Sequence, residues 1–443
     1  MRVTRFSVTA LFGLFNHNIE LDPDRRLTII HSPNGYGKTT ILRLIDAVFN
    51  RNPTLLRKTP FSDLEVGTDD GSSLLVKRLP QEDLTLLQYT LTPPHGKSRT
   101  FKDTPLDPEF LRHFPMSLIE HEIPHLERVG ARLWRDLRTS RVFDLADVVK
   151  AYPDELPIPR SFREASSPPE WLAQYTDSVP VRLIEAQRLL RFSDETSFPH
   201  RQPRALWSAT VEAYAQDLAS AIKSKLAESA ALSQALDRTF PQRLVQVTGR
   251  QLLTEDELLS RMDSIETTRT HLIGAGLLDP QTEPAFQVRR GELTPHQTSV
   301  LSLWVTDVEN KLAIYSDLAQ KIDLFKDVIN QHFLFKEMDI DREQGFVFRT
   351  PKNETIPVSS LSSGEQHELI LVYELLFKLQ RDSLVLIDEP ELSLHVAWQL
   401  RFLKDLAAII QLAPFDALIA THSPQIINDR WDLTTKLEAP RLP

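Results

Sequence analysis

Residues 32–40 read SPNGYGKTT, directly after the apolar run Leu27 to Ile30 and before the helix-like ILRLIDAVF. Two glycines, a lysine and paired hydroxyls in this order suit the holding of a triphosphate. The spacing G-x-x-x-x-G-K-[ST] is met at Gly37, Lys38 and Thr39, with Ser32 where the first glycine would stand. Gly35 and Gly37 are free to take backbone angles that turn successive amides toward phosphate oxygens, Lys38 reaches the outer phosphates, and Thr39 is placed to ligate magnesium. A helix starting near Thr39 adds the positive end of its dipole. Glycine and lysine also meet in ordinary turns, so the partners of this loop must decide its role.

Such partners exist further along. In SLVLIDEPELSLH apolar residues precede Asp388, which places a carboxylate at the end of a buried strand, where a second magnesium contact is needed. Glu389 follows and is positioned to polarise an attacking water. The bland alternative is a turn opening before Pro390. LSSGEQ at 361–366 precedes a helical pattern and puts Ser362 and Gly364 at a helix amino end, an anion-binding arrangement or a simple cap. LIATHSP sets His422 at the end of another apolar strand, within reach of a terminal phosphate or in a structural role.

These residues need strands and helices to position them. The chain has 443 residues, 41% hydrophobic and 25% charged, ordinary globular usage for one to three domains. No run approaches the roughly 18 apolar residues of a membrane span, and the amino end reads as an alternating strand, so a cytoplasmic address without membrane contact is expected. The absence of cysteine excludes disulfides and thiolate metal sites. The first ninety residues read as β-rich. Residues 92–180 are proline-broken around a helical stretch expected at about 118–148. From about 204 to 333 the composition is helical, and Leu301, Val305, Val308, Leu312, Tyr315, Ala319 and Ile322 form a heptad seam. One helix over 296–333 would be about 57 Å long, the second arm of a hairpin or a long amphipathic helix packed on its own domain. The last hundred residues alternate helix and strand. The expected class is therefore α/β with a β-rich amino-terminal lobe, divided as 1–200, a helical insertion 201–335, and 336–443.

Taken in order, SPNGYGKTT, LSSGEQ, LVLIDEPELSLH and ATHSP resemble the Walker A, signature, Walker B with D-loop, and switch-histidine motifs of ABC-type ATPase heads of the RecF, SMC and OLD group. More narrowly, SSGEQHELILVYELLF and LSLHVAWQ are similar to ATPases of bacterial anti-phage systems, the PARIS AriA and the Septu and retron-linked PtuA proteins. The resemblance covers residues 1 to about 60 and 335 to 430 well and the interior poorly. It implies an ABC-ATPase head with an inserted helical hairpin or coiled coil, using ATP and magnesium. Asn34, Gly35, Gly37, Lys38, Thr39 and Thr40 would take the nucleotide, with Thr39 and Asp388 on the metal. Glu389 would serve the water and His422 the γ-phosphate. Ser362 and Gly364 would act across a dimer interface on the partner copy's nucleotide. The Q-loop glutamine, a metal and catalytic contact in that family, is placed at Gln187 in preference to Gln88, with Arg188 beside it.

Three functions remain open: a defence sensor and scaffold governing a separately encoded toxic effector such as a TOPRIM-like nuclease, a DNA-repair ATPase, and a transport-type subunit, the last disfavoured by the large insert. The net charge of −10 confines nucleic-acid contact to local patches. Arg128, Arg132, Arg135, Arg138 and Arg141 are spaced to line one side of a helix, as a solvated face, a DNA contact or a protein contact.

Overall fold

The computed structural model describes residues 1–443 apart from 81–84, 137–141, 153–154, 157, 159–167, 186–202, 247–252, 280–292, 393, 395 and 438–443. The chain forms two compact units, one made of Met1–Pro203 with Leu379–Pro443 and the other of Arg204–Lys378. Residues 336–378, expected to belong with the carboxyl-terminal lobe, are thus part of the helical unit.

In chain order the first unit contributes β1 (Val3–Leu11), β2 (Phe15–Glu20), β3 (Leu27–His31), α1 (Lys38–Phe49), α2 (Pro53–Lys58), β4 (Asp63–Thr68), β5 (Ser73–Pro80), β6 (Thr85–Thr92) and β7 (Arg99–Asp103). It continues with α3 (Pro108–His113), α4 (Met116–Glu122), β8 (Leu126–Gly130), β9 (Leu133–Asp136), β10 (Val142–Asp144), α5 (Leu145–Ala151), α6 (Glu170–Asp177) and β11 (Val181–Glu185). The second unit holds α7 (Pro203–Gln246), α8 (Glu255–Gly274), α9 (Pro295–Ala313), α10 (Ser316–His332), β12 (Glu337–Asp341), β13 (Gly345–Arg349), β14 (Thr355–Ile356) and α11 (Ser363–Tyr373). The first unit resumes with β15 (Leu384–Asp388), α12 (Val396–Gln399), α13 (Phe402–Leu412), β16 (Asp416–Thr421), α14 (Pro424–Ile427) and β17 (Thr434–Lys436).

Among the described residues, two large sheets and a smaller three-stranded one build the first unit. An antiparallel sheet runs β2-β1-β4-β5-β6-β7, and a parallel one runs β11-β15-β16-β3-β17. Their sequences differ as their surroundings require. β2 alternates, with Phe15, His17 and Ile19 inside and Asn16, Asn18 and Glu20 outside, as a strand with one wet face does. β15 and β16 are buried at every position, as strands covered on both faces must be. One apolar core joins the two sheets and α1, with Phe6, Ile30, Ile41, Leu44, Leu386 and Leu418 among its members. Arg2 fastens the sheets by donating to both carboxylate oxygens of Asp416, with Nε to Oδ2 at 2.7 Å. The α/β class and the β-rich amino-terminal lobe expected from the sequence are found.

The helix expected over 118–148 is not. α4 stops at Glu122, Pro124 follows, and the chain turns into the antiparallel ladder β10-β9-β8 before α5. Trp134 is fully buried within a separate small core that includes Ile119, Leu126, Phe143 and Val148. The period-two placement of Leu126, Trp134 and Asp136 toward the inside outweighs the three- and four-residue spacing of the arginines. Arg128 lies on β8 and Arg135 on β9, with Arg132 in the turn between them, so they form no helical stripe; Arg138 and Arg141 lie outside the described residues. Arg128 donates to Gly130 O at 3.1 Å and Ala131 O at 2.8 Å, and its guanidinium lies 5.9 Å from the Trp134 ring centre. It closes its own hairpin.

In the second unit the heptad seam is buried from Val305 to Ile322, both at 0% exposure, with Leu301 half-buried, but it spans two helices. α9 ends at Ala313, the amide of Tyr315 bonds three residues back to Leu312 O at 3.1 Å, and α10 starts afresh. This one tight turn replaces the expected single helix over 296–333. The seam is covered by neighbouring helices, with Arg243 of α7 forked onto Asp307 at 2.6 and 2.7 Å and Arg261 of α8 onto Glu309. The longest helix is instead α7, 44 residues with Pro241 inside. β13 and β14 pair as an antiparallel hairpin around residues 351–354. Among the described residues no helix is long and apolar enough to cross a membrane.

Gly345 and Gly364 give this packing a test. At Gly345, φ is 82° and an added Cβ would lie 1.9 Å from Ala215 O, whereas one at Gly364 would meet nothing within 4 Å. Gly345→Ala is expected to cost ~3 kcal/mol or more in chemical denaturation, and Gly364→Ala to leave the midpoint unchanged or slightly raised, since alanine favours helix.

Candidate functional site

Register within the parallel sheet brings the chemistry to one edge. Glu185 pairs with Asp388, Asp388 with Ala420, and Ala420 with Ile30. The carboxyl ends of β11, β15, β16 and β3 are therefore level, and the segments leaving them begin at one line. Ligands of open parallel sheets bind at that edge.

From β3 the chain enters the glycine loop. Gly35 and Gly37 have φ of 90° and 85°, the left-handed region that side-chain-bearing residues avoid. A Cβ at Gly37 would also come 2.9 Å from Leu11 Cδ2. Ser32, in place of a glycine, is outside that region and is 1% exposed, so the position needs no glycine here. Gly37 is the N-cap of α1 and no side chain caps that helix end, which leaves its first-turn amides directed at the loop's hollow. Lys38 Nζ folds back to Ser32 O at 2.7 Å and Pro33 O at 3.1 Å. Burial lowers the Lys38 pKa, against the pull of Glu389, Glu391 and Asp388. Tyr36 is half-buried against Phe15, and its carbonyl meets His17 Nε2 at 3.1 Å. Asn34 is exposed, and Thr40 half-buried in the first turn of α1.

Thr39 Oγ1 donates to Asp388 Oδ1 at 3.0 Å, joining the loop to the end of β15. One hydroxyl and one carboxylate at that separation are hard oxygen donors spaced as two adjacent corners of a magnesium octahedron, for which about 3.0 Å is expected from bonds of about 2.1 Å. Magnesium bound by phosphates keeps several waters and takes few protein ligands, and among the described residues no group of three or more His, Asp or Glu could hold a metal. The residues present fit that ion. Burial, then Glu389 and Glu185, push the Asp388 carboxyl up to about 6, although the Thr39 hydroxyl opposes them. Arg43, one turn beyond Thr39 on α1, reaches Glu185 Oε1 at 2.7 Å.

Glu389 is strained, at φ 44°, a conformation costing about 1–3 kcal/mol for such a residue. Its amide still bonds Ala420 O at 2.8 Å, so the kink comes at the last rung of the ladder. The 3₁₀ turn Pro390–Leu392 then carries Glu391 back beneath β16. Glu391 Oε1 accepts from Thr421 Oγ1 at 2.7 Å and from the His422 amide at 3.1 Å, and it lies 2.9 Å from His422 Nδ1. Glu389 Oε1 is 3.7 Å from the same nitrogen. The loop, Asp388, Glu389 and His422 are thus gathered at one edge.

Of these groups, Glu391, Glu185 and Arg43 went unnoticed in the sequence. Glu391 had a signal, an acid directly after Pro390, whereas Glu185 and Arg43 acquire meaning only through the sheet register. Gln187 and Arg188 lie outside the described residues. Gln88 is on β6, paired with Lys77 in the antiparallel sheet.

Ser362 and Gly364 belong to the second unit. Ser362 caps α11, accepting from the Glu365 amide at 3.3 Å while Glu365 Oε2 takes the Ser362 amide at 2.7 Å. Lys336 clamps Glu365 at 2.7 and 2.8 Å. Behind this end the helix is buried from Gln366 to Tyr373, and at its tip Ser362, Ser363 and Gly364 are exposed.

Residues 267–428 match the family model described as "AAA domain, putative AbiEii toxin, Type IV TA system". That stretch is similar to AAA domains. It begins within α8 and ends after α14, so it takes in Ser362, Asp388, Glu389 and His422 but not the glycine loop. No curated protein matches the chain in sequence. Similar solved structures include the SMC head domain from Thermotoga maritima, 11% identical with a TM-score of 0.34, over 98% of this chain and 94% of that one. The Smc head domain with a coiled coil and joint derived from Pyrococcus yayanosii is 9% identical with a TM-score of 0.32, over 96% and 93%. The SmcHead bound to the C-winged helix domain of ScpA is 9% identical with a TM-score of 0.34, over 96% and 91%.

The Asp388 carboxyl yields a pH prediction. A folded-state pKa of about 6, raised from 3.8, means that the folded chain binds this proton more tightly than the unfolded one. Its contribution is intact below pH 4 and is lost as pH rises through 6. Asp388→Asn keeps the acceptor for Thr39 and removes the charge, so without added magnesium or nucleotide its melting temperature should exceed that of the wild type at pH 7.5 and converge with it near pH 4. Thermal melts across pH check this; equal melting temperatures at pH 7.5 would refute it.

Proposed function

We propose that the protein is an ATPase of the ABC type, working as a pair of copies that close on two nucleotides. The observation that carries this reading is the convergence at one sheet edge of the Gly35–Gly37 loop with Lys38, the Thr39–Asp388 pair at 3.0 Å, Glu389 and His422. In this reading Asn34, Gly35, Gly37 and Thr40 wrap the phosphates with main-chain amides. Lys38 exchanges its two carbonyl partners for β- and γ-phosphate oxygens. Thr39 and Asp388 would hold magnesium, which would supply positive charge against the outer phosphates. Glu389 takes the proton of the attacking water, and His422 faces the terminal phosphate. Ser362 and Gly364, exposed at the tip of a firmly packed helix, are available to the nucleotide on a second copy. Gln187 is retained as the proposed Q-loop contact. Nucleotide binding then joins two heads and hydrolysis releases them, a switch of the kind set by γ-phosphate contacts.

The finer role we propose is sensor and scaffold of a cytoplasmic anti-phage defence system, governing a separately encoded toxic effector. The match of residues 267–428 to a family described by a type IV toxin–antitoxin system supports it, together with the motif wording shared with defence ATPases. The DNA-repair or recombination alternative drew on an arginine stripe or the helical arm, and of the stripe Arg128 is engaged in its own hairpin.

Lys38→Ala is expected to abolish ATP binding in equilibrium titration. Glu389→Gln should keep ATP bound and shift the chain to a dimer in light scattering, with turnover down about 10²-fold or more. Equal binding and turnover in wild type and Lys38→Ala would refute the site. Protection of cells against phage, with and without the neighbouring gene, tests the defence role; loss of protection on Lys38→Ala is expected.

A further inference from the structure

His422 is half-exposed, but its orientation is set by a buried group that the proposed reaction does not use. The Glu391 side chain is 6% exposed. Its Oε1 accepts from the Thr421 hydroxyl at 2.7 Å and from the His422 amide at 3.1 Å, and the His422 ring nitrogen Nδ1 stands 2.9 Å from it as an ion-pair contact. The backbone of Glu391 is pinned as well, its carbonyl accepting from Gln399 Nε2 at 3.0 Å. An oxygen that already accepts two hydrogen bonds meets Nδ1 favourably when that nitrogen carries the hydrogen, so the network assigns the Nδ1–H tautomer. Nε2 is then the ring atom left for a bound group. Glu389 competes for the same Nδ1 from 3.7 Å, with its side chain 25% exposed.

We propose that Glu391 is a positioning residue for the ATPase reaction: its buried carboxylate fixes the ring and tautomer of His422, presents Nε2 to the reacting groups, and keeps Glu389 unengaged for the attacking water. This rests on the ATPase reading above. A carboxylate behind a working imidazole is a recurrent device for orienting it, and losing such a partner typically costs 10–100-fold. Here the strained φ at Glu389 accompanies the approach of two acids separated by one residue to the same ring nitrogen.

The test uses the full chain and compares wild type, Glu391→Gln, His422→Ala and the double variant in steady-state ATP hydrolysis and ATP binding. Glu391→Gln should lower kcat about 10–100-fold with the ATP KM and Kd within about threefold, and the double variant should be no slower than His422→Ala alone, because the two residues act as one unit. A Glu391→Gln kcat within twofold of wild type, or losses that multiply in the double variant, would overturn the proposal. If Glu391→Gln does not fold, the ¹⁵N spectrum of the His422 ring in the wild type decides: a protonated Nδ1 is expected, and an unprotonated Nδ1 overturns it. Wild-type chain that hydrolyses no ATP refutes the parent reading and this one with it; active wild type with an unprotonated Nδ1 refutes this one alone.

Discussion

The parallel ladder that holds Leu384–Asp388 between Val181–Glu185 and Asp416–Thr421 is the constraint from which the site follows. Strands buried on both faces cannot slip by one residue without driving their polar ends inward. Asp388 is therefore kept level with Glu185, Ala420 and, through β16, the end of β3. The Thr39–Asp388 bond reads this register out to the loop, since α1 can start only where the loop has turned through Gly35 and Gly37.

That arrangement crowds acids. Glu185, Asp388, Glu389 and Glu391 lie within or beside one edge, answered by Arg43 on Glu185, by Lys38 tucked against its own loop carbonyls, and by the His422 ring on Glu391. Asp388 receives a neutral hydroxyl in place of a cation, and burial, with Glu389 and Glu185 close by, raises its pKa. Such a site gains most from a ligand that brings positive charge to Asp388 and negative charge to the loop amides at once, as a magnesium-bound polyphosphate does. Backbone strain at Glu389 belongs to the same design: it ends the β15–β16 ladder abruptly and sends two neighbouring acids to different tasks.

The second unit presents a different solution to anchoring a loop. α11 is enclosed on all sides, with Tyr373 stacked between Tyr214 and Phe377 at 4.7 and 4.8 Å, and a π-helical turn over Glu374–Lys378 follows it. A helix held so firmly along its length can expose its first turn without fraying. Ser362 and Glu365 satisfy each other's amides, leaving the tip polar and open to solvent.

Local sequence sufficed for much of this. The apolar runs before Lys38, Asp388 and His422 had to be buried strands, because so many consecutive apolar residues find shelter nowhere else, and the glycines at 35 and 37 had to serve a backbone that other residues cannot adopt. The seam from Leu301 to Ile322, buried from Val305 onward, was likewise visible as a period. Its interruption at Tyr315 was not, because a single i to i−3 bond leaves that period intact. The region around Arg128 misled because arginines are long and surface-bound whatever the backbone does; burial of Trp134 and the break at Pro124 determine that strands form there. By itself the sequence determined which segments are covered strands and where the glycine-loop turn falls, all matters of neighbours a few residues apart. Only the tertiary structure decided that Glu185 pairs with Asp388 and Arg43, and that Glu391 turns back onto His422, because those contacts join residues 31 to 203 positions apart and are fixed by sheet register and one strained peptide.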